Sequence, residues 1–159
     1  MSREDRDFLD GLHEIGLRVE HATEEAVGAA IAQVLDDAVN KAPRIPHDEG
    51  SLQGSGSGFV QSKHVATSAS AGGEPTPATS YAPPLVKDEV LGTIGFNTPY
   101  AAYQHEGHRA DGSHPVNPDN YTRQDGRGPK FLEDALAENA NDYMRIVARR
   151  MGKAFEGGG

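Results

Sequence analysis

The chain contains no cysteine, which rules out disulfides and thiolate metal sites, and nothing argues for an oxidising compartment. No apolar run approaches the ~20 residues that span a bilayer, so no membrane partner is expected. Met1-Ser2-Arg3-Glu4-Asp5-Arg6 leads into a polar helix and does not read as a secretory leader. Positive charge is scarce: 15 Lys and Arg stand against 24 Asp and Glu, for a formal net charge of -9. Such a chain does not grip nucleic acid by neutralising phosphates. It suits a wall past which a polyanion slides, provided that copies of the chain surround it. Apolar residues make up 36%, diluted by Gly-, Ser- and Pro-rich stretches. At 159 residues the chain fits one domain over 1–159 with its own core.

The hydrophobic pattern predicts a long amphipathic helix over 5–41. Phe8, Leu12, Ile15, Val19, Ala22 and Ala26 alternate spacings of four and three; Ala30, Val34 and Ala38 continue the stripe, and Val27, Ile31, Leu35 and Val39 widen it. Gly11, Gly16 and Gly28 each weaken a helix by about 1 kcal/mol against alanine, and Pro43 and Pro46 stop it. A helix of this length reaches ~50 Å. Two readings stand for its seam: the whole of it packs on the chain's own sheet, with a kink at Gly16 or Gly28, or part of it faces another subunit.

Beyond the helix, 43–58 is rich in turn residues, and Gly54, Gly56 and Gly58 promise only a weak strand. Phe59, Val60, His64, Val65 and Thr67 predict one short strand. Residues 68–84 read as a long loop or arm. Leu85, Val86, Val90, Leu91, Ile94 and Phe96 define a second strand region, with a hairpin around Lys87, Asp88 and Glu89. Residues 108–128 form another long loop. Pro129 then opens a last helix at a favourable first position. Glu133 and Asp134 lie in its first turn, and Arg145, Arg149, Arg150 and Lys153 toward its end, both complementing the helix dipole. Leu132, Leu136, Ala140, Tyr143, Val147 and Met151 are its expected buried stripe, and 157–159 an expected flexible tail. The fold class is α+β: a long N-terminal helix, a small antiparallel sheet with long loops, and a C-terminal helix packed on the sheet.

Signals for chemistry are thin. His105, His108 and His114 offer a His-x-x-His spacing plus a third imidazole that zinc would accept, the basis of a metal-dependent hydrolase reading. Gly107 and the polar loop beyond it interrupt the helix that would put two of them on one face. His105 beside Glu106 resembles an acid–base pair, but adjacent residues point in different directions. No nucleophile elbow is present, and no Gly-Lys-Ser or Gly-Lys-Thr follows the glycines of 50–58. No cofactor is expected. Tyr100 and Tyr103, three apart, suit core packing for one and a subunit contact for the other. The basic end of the last helix suits docking on an acidic patch of an identical neighbour.

One constellation carries a resemblance. The long helix ends at Ala42-Pro43, and Asp48-Glu49-Gly50-Ser51-Leu52 precedes the first strand. Then come Leu91-Gly92-Thr93-Ile94-Gly95-Phe96-Asn97 and Thr98-Pro99-Tyr100-Ala101-Ala102-Tyr103-Gln104-His105-Glu106-Gly107, and finally Lys130-Phe131-Leu132-Glu133. Over about two-thirds of its length the chain resembles the minor capsid or neck proteins of the tailed-bacteriophage head–tail connection. It departs from them in two places: many such proteins carry Asp-Thr-Gly where this chain has Asp48-Glu49-Gly50, and a glutamate-aromatic-glycine where it has His105-Glu106-Gly107.

The resemblance implies a non-enzymatic virion protein, assembled in the host bacterial cytoplasm. It would sit at the head–tail junction as a homo-oligomeric ring around the DNA channel, beside connector or stopper and tail proteins, with DNA passing unbound. A tail terminator capping the tail tube is the alternative within the virion. Tyr100, Tyr103, Gln104, His105, Glu106, Arg145, Arg149 and Arg150 become candidates for subunit contacts. Gly50, Leu52, Pro99, Gly107, Pro129, Phe131 and Leu132 become candidates for holding the frame.

Overall fold

The computed structural model describes residues 3–41, 45, 51–68, 77–84, 86, 89–107 and 130–156. The elements are α1 (Arg3–Asn40), β1 (Gly56–Val60), β2 (Lys63–Thr67), β3 (Gly92–Phe96), α2 (Ala101–Glu106), α3 (Phe131–Glu138) and α4 (Ala140–Glu156), with a 3-10 turn at Gln53–Ser55. The fold is α+β, as the periodicities predict: one long helix, a three-stranded antiparallel sheet and helices at the C-terminal side. Pro43, Pro46, Gly50 and Pro129, residues 69–76 of the first expected long loop and all of the second (108–128) lie outside the described residues, as do Leu85, Lys87, Asp88 and 157–159.

The sheet order is β2-β1-β3. Where the sequence predicts a glycine-weakened segment and then one strand, two strands form a hairpin about Gln61 (φ 52°), and the glycine-rich one is central. Every residue of β1 is buried. Its glycines are there because α1 lies directly on them. A Cβ at Gly58 would stand 2.5 Å from Cγ2 of Ile31, and one at Gly56 would stand 2.9 Å from Cδ1 of Leu35. Close backbone approach, rather than a weak strand, is the physical meaning of this run. The register slips between Gly58 and Phe59, so that Val65 is the extra residue of a bulge.

The expected hairpin at 87–89 is not formed by the described residues. Val86, Glu89, Val90 and Leu91 have no strand geometry. β3 begins at Gly92 and pairs antiparallel with β1 instead. Gln61 fastens the approach to it, its N–H donating to the Leu91 carbonyl (2.8 Å) and its Nε2 to the Glu89 carbonyl (2.8 Å).

Phe131 sits at the centre of the core with Ala38, Val39, Ile45, Leu52 and Ala135, against Phe96, Ala101 and Leu132. The predicted last helix is divided at Asn139 (φ -111°), whose side-chain Nδ2 donates back to the Ala135 carbonyl at 3.0 Å. The break corrects the expected stripe. Phe131 and Tyr143 are buried, while Leu136 is 46% exposed and Ala140 is exposed. The C-terminal helices reach the sheet through Phe131, edge-on to Phe96 at 5.3 Å, and otherwise lie along α1.

α4 runs antiparallel to α1. Tyr143 meets Asp37, Met151 meets Thr23, and Phe155 lies by Leu17 and Arg18. At the first of these points Asp37, wholly buried, accepts from Tyr143 Oη (2.9 Å) and Gln33 Nε2 (2.9 Å) and pairs with Lys41 Nζ (3.0 Å). A buried carboxylate is tolerated only with partners of this kind. Burial, and then the Asp37 carboxylate, push the Tyr143 phenol well above its ordinary value.

Candidate assembly interface

The seam of α1 divides sharply. Ala22, Ala26, Val34, Leu35, Ala38 and Val39 are buried against the sheet, α3 and α4. Phe8, Leu12, Ile15 and Val19, on the same stripe, are exposed, Phe8 at 66% and Ala26 at 0% marking the extremes. Leu9 and Leu17 are half exposed beside them. A Cβ placed at Gly11 or Gly16 would meet nothing within 4 Å. The reading in which the whole seam packs on the chain's own sheet is therefore corrected: it holds from Ala22 onward only. The cause is length. α4 ends beside Leu17 and Arg18, and the sheet packs farther along, at Val27, Gly28, Ile31 and Leu35. Contiguous exposed apolar surface of this kind marks interaction sites.

α2 displays the tyrosines. Tyr100 and Tyr103 are 41% and 39% exposed, so neither serves as the expected core residue, and both remain available for contact. Pro99 is exposed before them, and Gln104 is partly buried with its N–H on the Tyr100 carbonyl (3.0 Å). Gly107 (φ 73°) closes the helix, its N–H donating to the Tyr103 carbonyl. This left-handed cap suits glycine.

His105 and Glu106 form a latch to the start of α3. Lys130 N–H donates to the His105 carbonyl (2.7 Å), and Lys130 Nζ pairs with Glu106 (2.7 Å) and Glu133 (3.0 Å). His105 Nε2 faces the Glu133 N–H at 3.4 Å, which makes it the acceptor, so Nδ1 holds the proton donated to Glu106 (3.1 Å). Its ring stands edge-on to Phe131 at 5.1 Å. Lys130 and then His105 hold the Glu106 carboxyl below its ordinary range, and Glu106 and then Glu133 hold the Lys130 ammonium above its own. This arrangement anchors α2 to α3 across sequence. His108 and His114 lie outside the described residues, and no group of three metal-ligating side chains occurs among the described ones. Phe131 and Leu52 are buried in the core, and Leu132 packs against it.

Arg145, Arg149 and Arg150 are exposed on α4; Arg145 pairs with Asp142 at 2.6 Å. A second apolar stripe on α4 went unmarked by the sequence reading. Met144 (66% exposed) and Ala148 are exposed, and on the same spacing Met151 and Phe155 border α1 at Thr23 and at Leu17 and Arg18. Their spacing of four, three and four was visible in the sequence but was masked by the interleaved Tyr143 and Val147. No protein-family model matches the chain, and no curated protein or solved structure is significantly similar to it.

Proposed function

We propose that the chain is a structural virion protein of a tailed phage, a ring-forming component of the head–tail connection around the DNA channel. The observation that carries this reading is the bare half of α1, a continuation of the core stripe that is exposed among the described residues. A helix that is apolar along one side and uncovered is suited to burial against another subunit. Repeated contacts of one type, each turning by the same angle, close a ring. The segment that resembles the neck proteins, 98–107, forms a short helix latched to the core and displaying two tyrosines, which is a rigid mount for a contact. The net charge of -9 suits a lumen through which DNA passes without being held. No chemical step is assigned to the chain. His105 is occupied in packing on Phe131 and in the latch, a structural use of the residue with which a metal-dependent hydrolase would begin.

Electron microscopy of the purified protein tests the reading. Annular particles with an open centre are expected. Particles no larger than one subunit at every concentration, or substrate turnover dependent on bound zinc, contradict it.

A further inference from the structure

We infer that the outer edge of β3 is a docking site for an extended, uncharged segment of a different protein, which adds as a further strand and places a tyrosine side chain in the cleft over Gly95. The inference is independent of the ring reading, and each stands if the other fails.

Three observations meet at this edge. First, β3 is an edge strand without a guard. Asn97 N–H donates to the Ser55 carbonyl (3.0 Å) and Gln61 N–H to the Leu91 carbonyl (2.8 Å). By the alternation of an antiparallel ladder, Gly92, Ile94 and Phe96 then turn their N–H and C=O groups away from β1. Those groups make no hydrogen bond among the described residues. The opposite edge, β2, carries Lys63 and the bulge at Val65, features that deter further pairing. β3 has no charge, proline or bulge. Second, Gly95 is not explained by the chain's own packing. Gly56, Gly58 and Gly92 are kept small by Leu35, Ile31 and Val27 of α1, whereas a Cβ at Gly95 would meet nothing within 4 Å. Nor does Gly95 have a left-handed φ. Glycine inside a strand often marks a place where a ligand or another backbone comes close. Third, a cleft of about 270 Å³ opens there, and none of the residues lining it is charged. The rings of Phe59 and Tyr81, 5.7 Å apart, line it together with Thr93 and Gly95. Ser57, the cross-strand partner of Gly95, lines it as well; it is wholly buried, and its hydroxyl has no hydrogen-bond partner among the described residues.

An added strand satisfies the outward groups of Ile94 and Phe96, and its side chain beside Gly95 enters the cleft. Tyrosine suits that position: the ring packs on Phe59 and Tyr81, and the phenol hydroxyl gives Ser57 the partner it lacks. The uncharged lining selects an uncharged segment, because an ion brought there loses water and gains no counter-ion. The chain's own five tyrosines do not meet this description. Tyr81 already lines the cleft, Tyr100 stands at the start of α2, Tyr103 lies within it, and Tyr143 is buried. Tyr121 stands between Asp119 and Arg123 in sequence. The occupant is therefore assigned to a different protein.

The probe is an end-blocked pentapeptide with tyrosine at its centre, a valine on either side and threonine at both ends. It is titrated into dilute isotope-labelled protein and followed by NMR. Binding is expected, with the largest amide shifts at Ile94 and Phe96. In antiparallel pairing, as in the rest of the sheet, the two valines bond to β3. Methylating their backbone nitrogens should therefore weaken binding to the parent by about tenfold. Gly95→Val fills the cleft at a position where a side chain meets nothing, and should weaken binding by a similar factor; circular dichroism checks that the variant keeps the parent's fold. Ser57→Ala should bring the affinity for the tyrosine peptide down to that for its phenylalanine analogue. No binding to the parent at millimolar peptide overturns the inference. Binding that Gly95→Val leaves unchanged overturns it, because the peptide then sits elsewhere. Binding that methylation leaves unchanged overturns it too, because the cleft then takes a side chain without an added strand. Equal affinity of the two peptides for the parent removes Ser57 and with it the choice of tyrosine. Self-association of the parent that is lost in Gly95→Val makes a second copy the occupant and overturns the assignment to a different protein.

Discussion

The two halves of α1 carry one hydrophobic pattern and live in opposite surroundings. From Ala22 to Val39 the stripe is built of alanines interleaved with Val, Ile and Leu, and the sheet approaches so closely that β1 has glycine where it crosses Ile31 and Leu35. From Phe8 to Val19 the stripe is Phe, Leu, Ile and Val, exposed among the described residues. Small side chains permit close approach to a fixed neighbour, whereas large ones present area to be covered. The difference teaches that a stripe alone does not say whether the chain covers it; in α1 the covered half is the one richer in alanine.

Four substitution experiments would sharpen or break this comparison. The largest contrast pairs Phe131→Ala with Phe8→Ala. Loss of the central core ring should cost about 3–5 kcal/mol, and loss of the exposed one less than about 0.5 kcal/mol for the isolated subunit, read by urea unfolding of dilute protein. A comparable cost for Phe8 would mean that the chain itself covers the bare half.

Glycine substitutions come next. Gly58→Ala places a Cβ 2.5 Å from Ile31 and 3.3 Å from the Ala66 Cβ, and should cost about 1–3 kcal/mol through overpacking. Gly16→Ala meets open space and should stabilise the helix by up to ~1 kcal/mol. Equal signs for the two, in the same unfolding assay, would contradict the contrast.

Tyr143→Phe removes a donor from the buried Asp37 and should cost about 1–3 kcal/mol. The pH dependence follows from the sign of the shift. The folded phenol ionises above its unfolded value of about 10, so its contribution is complete below that pH and is lost as pH rises through the folded value. Alkaline unfolding curves should show this loss in the parent and not in the variant; parallel curves would remove Tyr143 from the account.

The smallest effect belongs to Glu106→Gln at the exposed latch. Its carboxyl is held below the ordinary range by Lys130 and His105, so whatever it contributes is present above that range and fades as pH falls through the lowered value. A slight decrease in melting temperature, confined to neutral pH and to low salt, is expected. A decrease of the same size at acidic pH or at high salt would show that the latch acts through something other than charge.

Much of the frame was legible in the chain because helical periodicity over 38 residues leaves little freedom: the 5–41 prediction and Arg3–Asn40 differ only at the ends. The strand ending at Phe96 and the α+β class were legible on the same grounds. The β1–β2 hairpin was not. Its glycines read as a loss of strand propensity, and only the distance to Ile31 and Leu35 reveals them as a packing requirement. The break at Asn139 and the rise of Phe131 to the core centre depend on where Asp37 and Phe96 stand in space. In the candidate interface, the bare stripe was visible as a pattern but its exposure was not. Whether a helix outruns its own domain depends on where α4 ends against it, and that is a tertiary fact.

The most direct measurement is hydrogen exchange along α1 as protein concentration is raised. Backbone amides from 22 to 39 should be protected at every concentration, and those from 6 to 19 should exchange quickly in dilute protein and slow in step with assembly. Rapid exchange over 6–19 that persists in fully assembled particles would contradict the claim that this half of the helix is covered by a second copy.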